Sequence, residues 1–236
     1  MIVFWRLLLA HFLGDFTLQL DFVHAWKRRN RAGLLAHGAT HLALYAALTR
    51  PYLGETWVSV LGFPLRGWAC ISIIFALHLA EDLWRMRVIE RNGRADNTAY
   101  FLWDQLAHLL VLFLFIPLRL SDMRRGWFPE KWPVVAIAAV LATHFGTVLL
   151  YFMEKDLKGA PYPKGDEKYV AMAMRLVLFL CFLLPWPTAA AAAVVWAGAV
   201  LHLKRRKIVD HSWLSIDGGM ALGAACGLAA RMVWHG

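Results

Sequence analysis

Apolar residues run along this chain in eight blocks, at about 2–23, 33–49, 67–84, 98–118, 133–153, 169–185, 188–203 and 212–234. A helix needs about 20 predominantly apolar residues to cross a bilayer, with a range near 17–25. The blocks fall close to that range, and the polar stretches between them are too short to hold a soluble domain. The pattern predicts an all-α integral membrane protein, one transmembrane domain over 1–236 built as a bundle of about eight transmembrane helices. Blocks two and seven are short, and Pro185-Trp186-Pro187 makes a tight link between the sixth and seventh. Trp5, Trp57, Trp68, Trp127, Trp132, Trp186, Trp213 and Trp234 cluster near block ends, as interfacial anchors do.

The polar interruptions are more informative than the blocks. Four pairs stand one helical turn apart: His11 with Asp15, His37 with His41, His78 with Asp82, and Asp104 with His108. At i, i+4 spacing both members leave the same helix face. An Asp at the centre of a membrane helix costs roughly 2.5–3.5 kcal/mol on insertion scales. Such residues persist where they meet one another, so the first half (1–118) reads as a polar-site half and 133–236 as a supporting half.

Lys and Arg set the orientation. Loop 24–32 holds Lys27, Arg28, Arg29 and Arg31, and loop 85–97 holds Arg85, Arg87, Arg91 and Arg94. Loop 154–168 holds Lys155, Lys158, Lys164 and Lys168, and loop 204–211 holds Lys204, Arg205, Arg206 and Lys207. With eight spans these loops share one side, which the positive-inside rule makes cytoplasmic, and both termini lie outside. Arg50 and Arg66, and Arg119, Arg124, Arg125 and Lys131, fall on the other side. All four pairs then sit in the cytoplasmic half of the bilayer at one depth, which is the case for a single shared site.

The first two blocks also resemble the next two. AHFLGDF aligns with LHLAEDL, placing His11 over His78 and Asp15 over Asp82. HGATHLAL aligns with DQLAHLLV, placing His37 over Asp104 and His41 over His108. Parallel repeats of this kind often place a site at their interface.

Imidazole and carboxylate on helical turns are how bundles build zinc, iron or manganese centres. The expected metal ligands are His11, His37, His41, His78, Asp82, Asp104 and His108, around one or two divalent ions, Zn²⁺ first. Asp15 is the expected general base, with Gln19 and Gln105 as hydrogen-bonding supports. The bland alternative is a satisfied polar network that holds helices together without metal. Glu81 reads as facing the cytoplasmic interface. In the second half, His144 is as readily a core residue as a site residue. Arg175 needs a partner such as an Asp or a lipid phosphate. Asp210, His211, Ser212 and Asp217 read as a cap for the last helix, and Gly218, Gly219, Gly223 and Gly227 suit close helix packing.

Composition agrees with membrane residence: 60% of the residues are hydrophobic, against about 45–50% in soluble domains. The formal charge of +9 follows from basic loops facing cytoplasm and anionic lipid. No aromatic-interleaved basic patch suggests a nucleic-acid partner. Cys70, Cys181 and Cys226 lie in apolar blocks without C-x-x-C spacing and read as core packing. The opening MIVFWRLLLAHFLGDF lacks the basic start and small-residue cleavage site of a signal peptide.

The segments LLLAHFLGDFTLQLDF, LLAHGATHLAL, HLAEDLW and FLWDQLAHLL resemble an uncharacterised bacterial integral-membrane family, DUF3307, over about residues 1–115. By position the resemblance selects His11, Asp15, Gln19, His37, His41, His78, Asp82, Asp104, Gln105 and His108. It implies a bacterial cytoplasmic (inner) membrane and supplies no activity. An Glu-Arg pair of its later helix stands here as Met174-Arg175. The expected function is a membrane-embedded, metal-dependent hydrolase acting on a lipid or lipid-linked substrate from the cytoplasmic leaflet. The alternatives are a metal-ion or proton transporter using the same cluster, and a non-catalytic membrane scaffold. A homo-oligomer stays open.

Overall fold

The computed structural model describes residues 2–19, 21–92, 96–117, 131–163, 165–206 and 212–235. Arg94, Arg119, Arg124, Arg125, Trp127, Lys164, Lys207, Asp210 and His211 lie outside the described residues. Among the described residues the fold is all-α apart from one small hairpin, and the chain divides into two compact units, Met1–Pro133 and Val134–Gly236.

In the first unit α1 (Ile2–Phe12) runs directly into a π turn over Leu13–Thr17, closed by Leu18 N–H on Leu13 O at 2.8 Å. A separate helix follows, α2 (Asp21–Arg29), and then α3 (Arg31–Thr49). Asn30 starts α3 by accepting from Gly33 N–H at 2.9 Å, one of the orphan donors of a helix N-terminus. Gly33 has to be glycine, because a Cβ there would stand 2.3 Å from the carbonyl of Trp26. After a short 3₁₀ turn, β1 (Thr56–Val60) and β2 (Phe63–Arg66) form an antiparallel hairpin. It leads straight into α4 (Gly67–Asn92), and α5 (Thr98–Leu114) follows, capped by Asn97, which accepts from Tyr100 N–H at 2.9 Å.

α6 (Lys131–Val140), whose first three residues belong to the first unit, a second π turn over Leu141–Phe145 and α7 (Gly146–Lys158) make one long helix. It is followed by α8 (Gly165–Leu183), α9 (Thr188–Arg205) and α10 (Trp213–His235). Gly223 and Gly227 let α10 approach α8. A Cβ at Gly223 would lie 3.1 Å from the Arg175 carbonyl, and one at Gly227 2.9 Å from Phe182 Cβ. Small residues at such crossings bring backbones together, as the sequence suggested. The core here gathers Val135, Ala138, Ala142, Phe179, Cys226 and Ala230.

All eight apolar blocks contain helix, but eight spans are not what their lengths support. Among the described residues three helices are long and apolar enough to cross a membrane, Gly67–Arg91, Lys131–Lys158 and Trp213–His235, with Thr98–Leu114 a shorter apolar helix. These three mark a membrane protein. The block expected at 2–23 breaks after Thr17, and its 16 helical residues (2 through 17) span only about 24 Å at 1.5 Å per residue, short of a bilayer core of about 30 Å. α9 ends in His202, Lys204 and Arg205, and α8 opens on polar residues, so both lose apolar length at one end. Part of the loop expected at 24–32 is helix α2, and most of the loop expected at 85–97 is the last turns of α4.

Among the described residues Arg175 is held by backbone carbonyls and a threonine hydroxyl, not by a carboxylate. Its Nε donates to Ala142 O at 2.7 Å, and one terminal nitrogen donates to Thr143 O at 3.0 Å and to Thr147 Oγ1. The π turn explains this. Gly146 N–H reaches back to Leu141 O, so Ala142 O is released from the helical ladder and accepts the guanidinium instead. At the start of α10, Ser212 caps Ser215 N–H at 3.0 Å while Asp217 is exposed.

Candidate metal centre

The first unit brings all four pairs to one place. His11 comes from α1, Asp15 from the π turn, His37 and His41 from α3, His78 and Asp82 from α4, and Asp104, Gln105 and His108 from α5. All are buried except Asp15, of whose side chain 8% is exposed. The imidazoles crowd together, with ring centres 4.0 Å apart for His41 and His78, 4.4 Å for His78 and His108, and 4.7 Å for His37 and His41.

Asp15 is the hub. Its Oδ1 lies 3.1 Å from His41 Nε2, 3.2 Å from His37 Nε2 and 4.0 Å from His78 Nε2, while the Nε2 atoms of His37 and His78 are 3.4 Å apart. Asp15 Oδ2 faces His11 Nε2 at 3.4 Å and accepts from Gln105 Nε2 at 3.3 Å. Four ligand atoms around a tetrahedral zinc with bonds near 2.0–2.1 Å stand about 3.3 Å from one another. The edges at 3.1, 3.2 and 3.4 Å among Asp15, His37, His41 and His78 have that size. Asp15, His37, His41 and His78 form one group able to hold an ion, and His78, Asp82 and His108 form a second, so His78 is common to both.

The π turn and Gly14 make the hub possible. A π turn widens the helix locally and recurs at functional sites, and here it is the stretch that carries Asp15. Gly14 faces the His41 ring so closely that a Cβ would lie 2.5 Å from Cε1 and 2.6 Å from Nε2. His41 can reach Asp15 only because residue 14 has no side chain.

Around this centre stand residues that the sequence pattern did not single out. Lys27 Nζ pairs with Asp82 Oδ1 at 2.7 Å, and Arg85 pairs with Asp104 Oδ2 at 2.8 Å and Asp96 Oδ2 at 2.7 Å. Both cations are at the rim of the cluster, with side chains 12% and 20% exposed. Glu81 does not simply face the interface: it accepts from His108 Nδ1. His108 Nε2 is buried 3.7 Å from Asp104 Oδ1, with no hydrogen-bond partner among the described residues. Arg85 was legible in principle, being seven residues after His78 and three after Asp82 on a helix that continues beyond its apolar block. Nothing in the sequence pointed Lys27 at Asp82.

Gln19 is not brought in. It lies beyond the π turn, where its Nε2 donates to His24 Nδ1 at 2.8 Å. Gln105 is in the cluster, bridging Asp15 and Asp104 and presenting Oε1 to His11 Nε2 at 3.3 Å. His144 belongs to the second unit, its Nδ1 3.1 Å from Thr143 Oγ1.

The offset that aligns the two sequence copies also relates two helix caps. His11 and His78, Asp15 and Asp82, His37 and Asp104, and His41 and His108 are each 67 positions apart, and so are the two capping residues Asn30 and Asn97. The same offset sets Gly14 against Glu81. His41 therefore lies on a bare glycine where His108 meets a carboxylate.

Helices long and apolar enough for a membrane, and a buried His/Asp cluster carried on helical turns, define the class. The chain belongs to the family described as Protein of unknown function (DUF3307), whose model matches residues 3–145. The match exceeds the expected reach of about 115 and takes in the second π turn with His144. No curated protein and no solved structure matches the chain.

Proposed function

We propose that this is a metal-dependent hydrolase of the bacterial cytoplasmic membrane, crossing it several times and acting on a lipid or lipid-linked amide, ester or phosphoester. The observation that carries the reading is the convergence of His37, His41 and His78 with Asp15, whose separations of 3.1, 3.2 and 3.4 Å match tetrahedral edges while Asp15 to His78 is longer, at 4.0 Å. Three neutral imidazoles around an ion with one exchangeable position is a catalytic zinc pattern. Such an ion lowers the pKa of bound water toward about 7 and polarises the bond under attack.

His37, His41 and His78 would hold such an ion with Asp15 beside it, and Asp15 would serve as the proton acceptor for a water activated there. Gln105 and His11 flank its other oxygen and keep the carboxylate in place. His108 is oriented by Glu81, and its buried Nε2 has no hydrogen-bond partner among the described residues. Basic residues of α2 and the end of α4, among them Arg28, Arg29, Arg87 and Arg91, favour an anionic headgroup at the mouth.

Transport of a metal ion or proton ranks second. A cation leaving the cluster along α1 would meet Arg6, which is buried, donates to Leu48 O at 2.9 Å and stacks over Tyr52. A fixed guanidinium there opposes cation passage.

Elemental analysis of the purified chain tests the proposal directly. Zn²⁺ or a similar ion retained by wild type and lost in His41→Ala and His78→Ala is the expected result. A fully folded protein that takes up no divalent ion would sink the hydrolase reading. Alanine substitutions that lower only stability would favour the scaffold.

A further inference from the structure

The hairpin between α3 and α4 has features that a water-exposed loop does not reward. From Thr56 to Leu65 it carries no charged residue, although exposed edge strands in soluble proteins are usually guarded by charges. Val58 pairs with Leu65 and Val60 with Phe63, so these four side chains share one face. Exposure rises toward the tip, to 73% at Phe63 and 94% at Leu61. Leu61 also has φ 51° and is followed by Gly62 at 84°. Asn or Gly is the usual occupant of the first position in such a two-residue turn. This chain instead places a Leu there, with neither backbone ease nor a packing contact in return.

The root is held firmly. Trp57 is buried and donates from Nε1 to Tyr52 O at 2.9 Å, and Gly67 leaves room for its indole, since a Cβ would lie 2.6 Å from Cε2. The apolar span Gly67–Arg91 begins where β2 ends, with Trp68 exposed on its first turn. The hairpin is therefore continuous with a membrane-crossing helix at the level of an interfacial tryptophan. Arg50 and Arg66, both exposed, stand on either side of its base, where anionic headgroups lie. A two-stranded hairpin alone is marginal in water, and a lipid phase would supply what this one lacks.

We propose that the β1–β2 hairpin is a membrane wedge, with Val60, Leu61 and Phe63 inserted in the lipid leaflet next to the start of α4. Along α4, His78 lies 11 residues beyond Gly67, about 16 Å at 1.5 Å per residue. The wedge thus grips the leaflet away from the Lys27 and Arg85 rim of the metal centre. The inference does not depend on any hydrolytic activity.

The test uses the full chain in vesicles of phosphatidylethanolamine and phosphatidylglycerol. Cys181 is replaced by Ala, and the buried Cys70 and Cys226 are left in place. A nitroxide is attached to Leu61→Cys, or to Gly54→Cys, an exposed site with open space around it. Collision with oxygen is expected to exceed collision with a water-soluble nickel chelate at position 61, and the order to reverse at position 54. A Phe63→Ser change should shift the label at 61 toward the aqueous reading, while circular dichroism shows the helices intact. Chelate access at 61 equal to that at 54 overturns the proposal. So does dipolar broadening between labels, which would assign the patch to a second copy of the chain. A label at 61 shielded from both colliders overturns it as well, in favour of a protein cover.

Discussion

Gly14 has the narrowest tolerance in the centre. A methyl group there would overlap the His41 ring at 2.5 Å, and the ring has no retreat that keeps Nε2 on Asp15. Gly14→Ala should therefore weaken zinc binding by about 10–100-fold, the usual effect of disturbing a ligand's support. Competition with a zinc chelator measures it, and unchanged affinity would place the ion away from His41. The residues that made this site legible are the eight in i, i+4 pairs, because period and polarity in an apolar block survive as sequence signals. Gly14 left no such signal, since one glycine in a membrane helix is ordinary. Glu81 and Lys27 were hidden for another reason: a charge near a block end reads as interfacial until a partner on a distant segment is seen.

Among the elements, α3 and α5 begin alike. Asn30 and Asn97 each accept one N–H of their helix's first turn at 2.9 Å, and the paired ligands follow at the same distances into both helices. Asn30→Ala and Asn97→Ala should each cost about 1 kcal/mol, read as a lowered melting temperature in detergent. A loss at only one position would mean that the two helices do not bear equally on the fold. Helix existence was legible from the apolar blocks except at α2, which forms within an expected basic loop, whereas helix ends were not. α4 continues through Arg85, Arg87 and Arg91, because a charged turn outside the apolar block is as good a helix as any once its guanidinium finds Asp96 and Asp104. The π turn over Leu13–Thr17 had no marker, since it rearranges hydrogen bonds without changing residue type. The hairpin was missed because Leu61-Gly62 lacks the Asn-Gly signature of its turn.

For the whole molecule the deciding quantity is charge. Asp15, Glu81, Asp82, Asp96 and Asp104 bring five carboxylates to the cluster and its rim, and Lys27 and Arg85 return two positive charges. Counting every histidine as neutral, three negative charges remain, and burying them uncompensated is costly. One divalent ion cancels two of the three. A second ion would have to share His78 with the first and would leave the cluster positive. The chain should therefore hold one divalent ion, and Lys27 ties that expectation to stability. In Lys27→Met, Asp82 loses its ammonium in a site only 4% exposed. Removing one partner of a buried pair costs about 3–5 kcal/mol, and somewhat less at a rim that water reaches. The ion offsets part of that loss by attracting the same carboxylate. Lys27→Met should then lower the melting temperature clearly in chelator and by less with saturating zinc, as thermodynamic linkage requires of a ligand bound to the folded state alone. Equal losses in the two conditions would mean that no ion lies within reach of Asp82, and two ions per wild-type chain would show that the charge count omits a contributor.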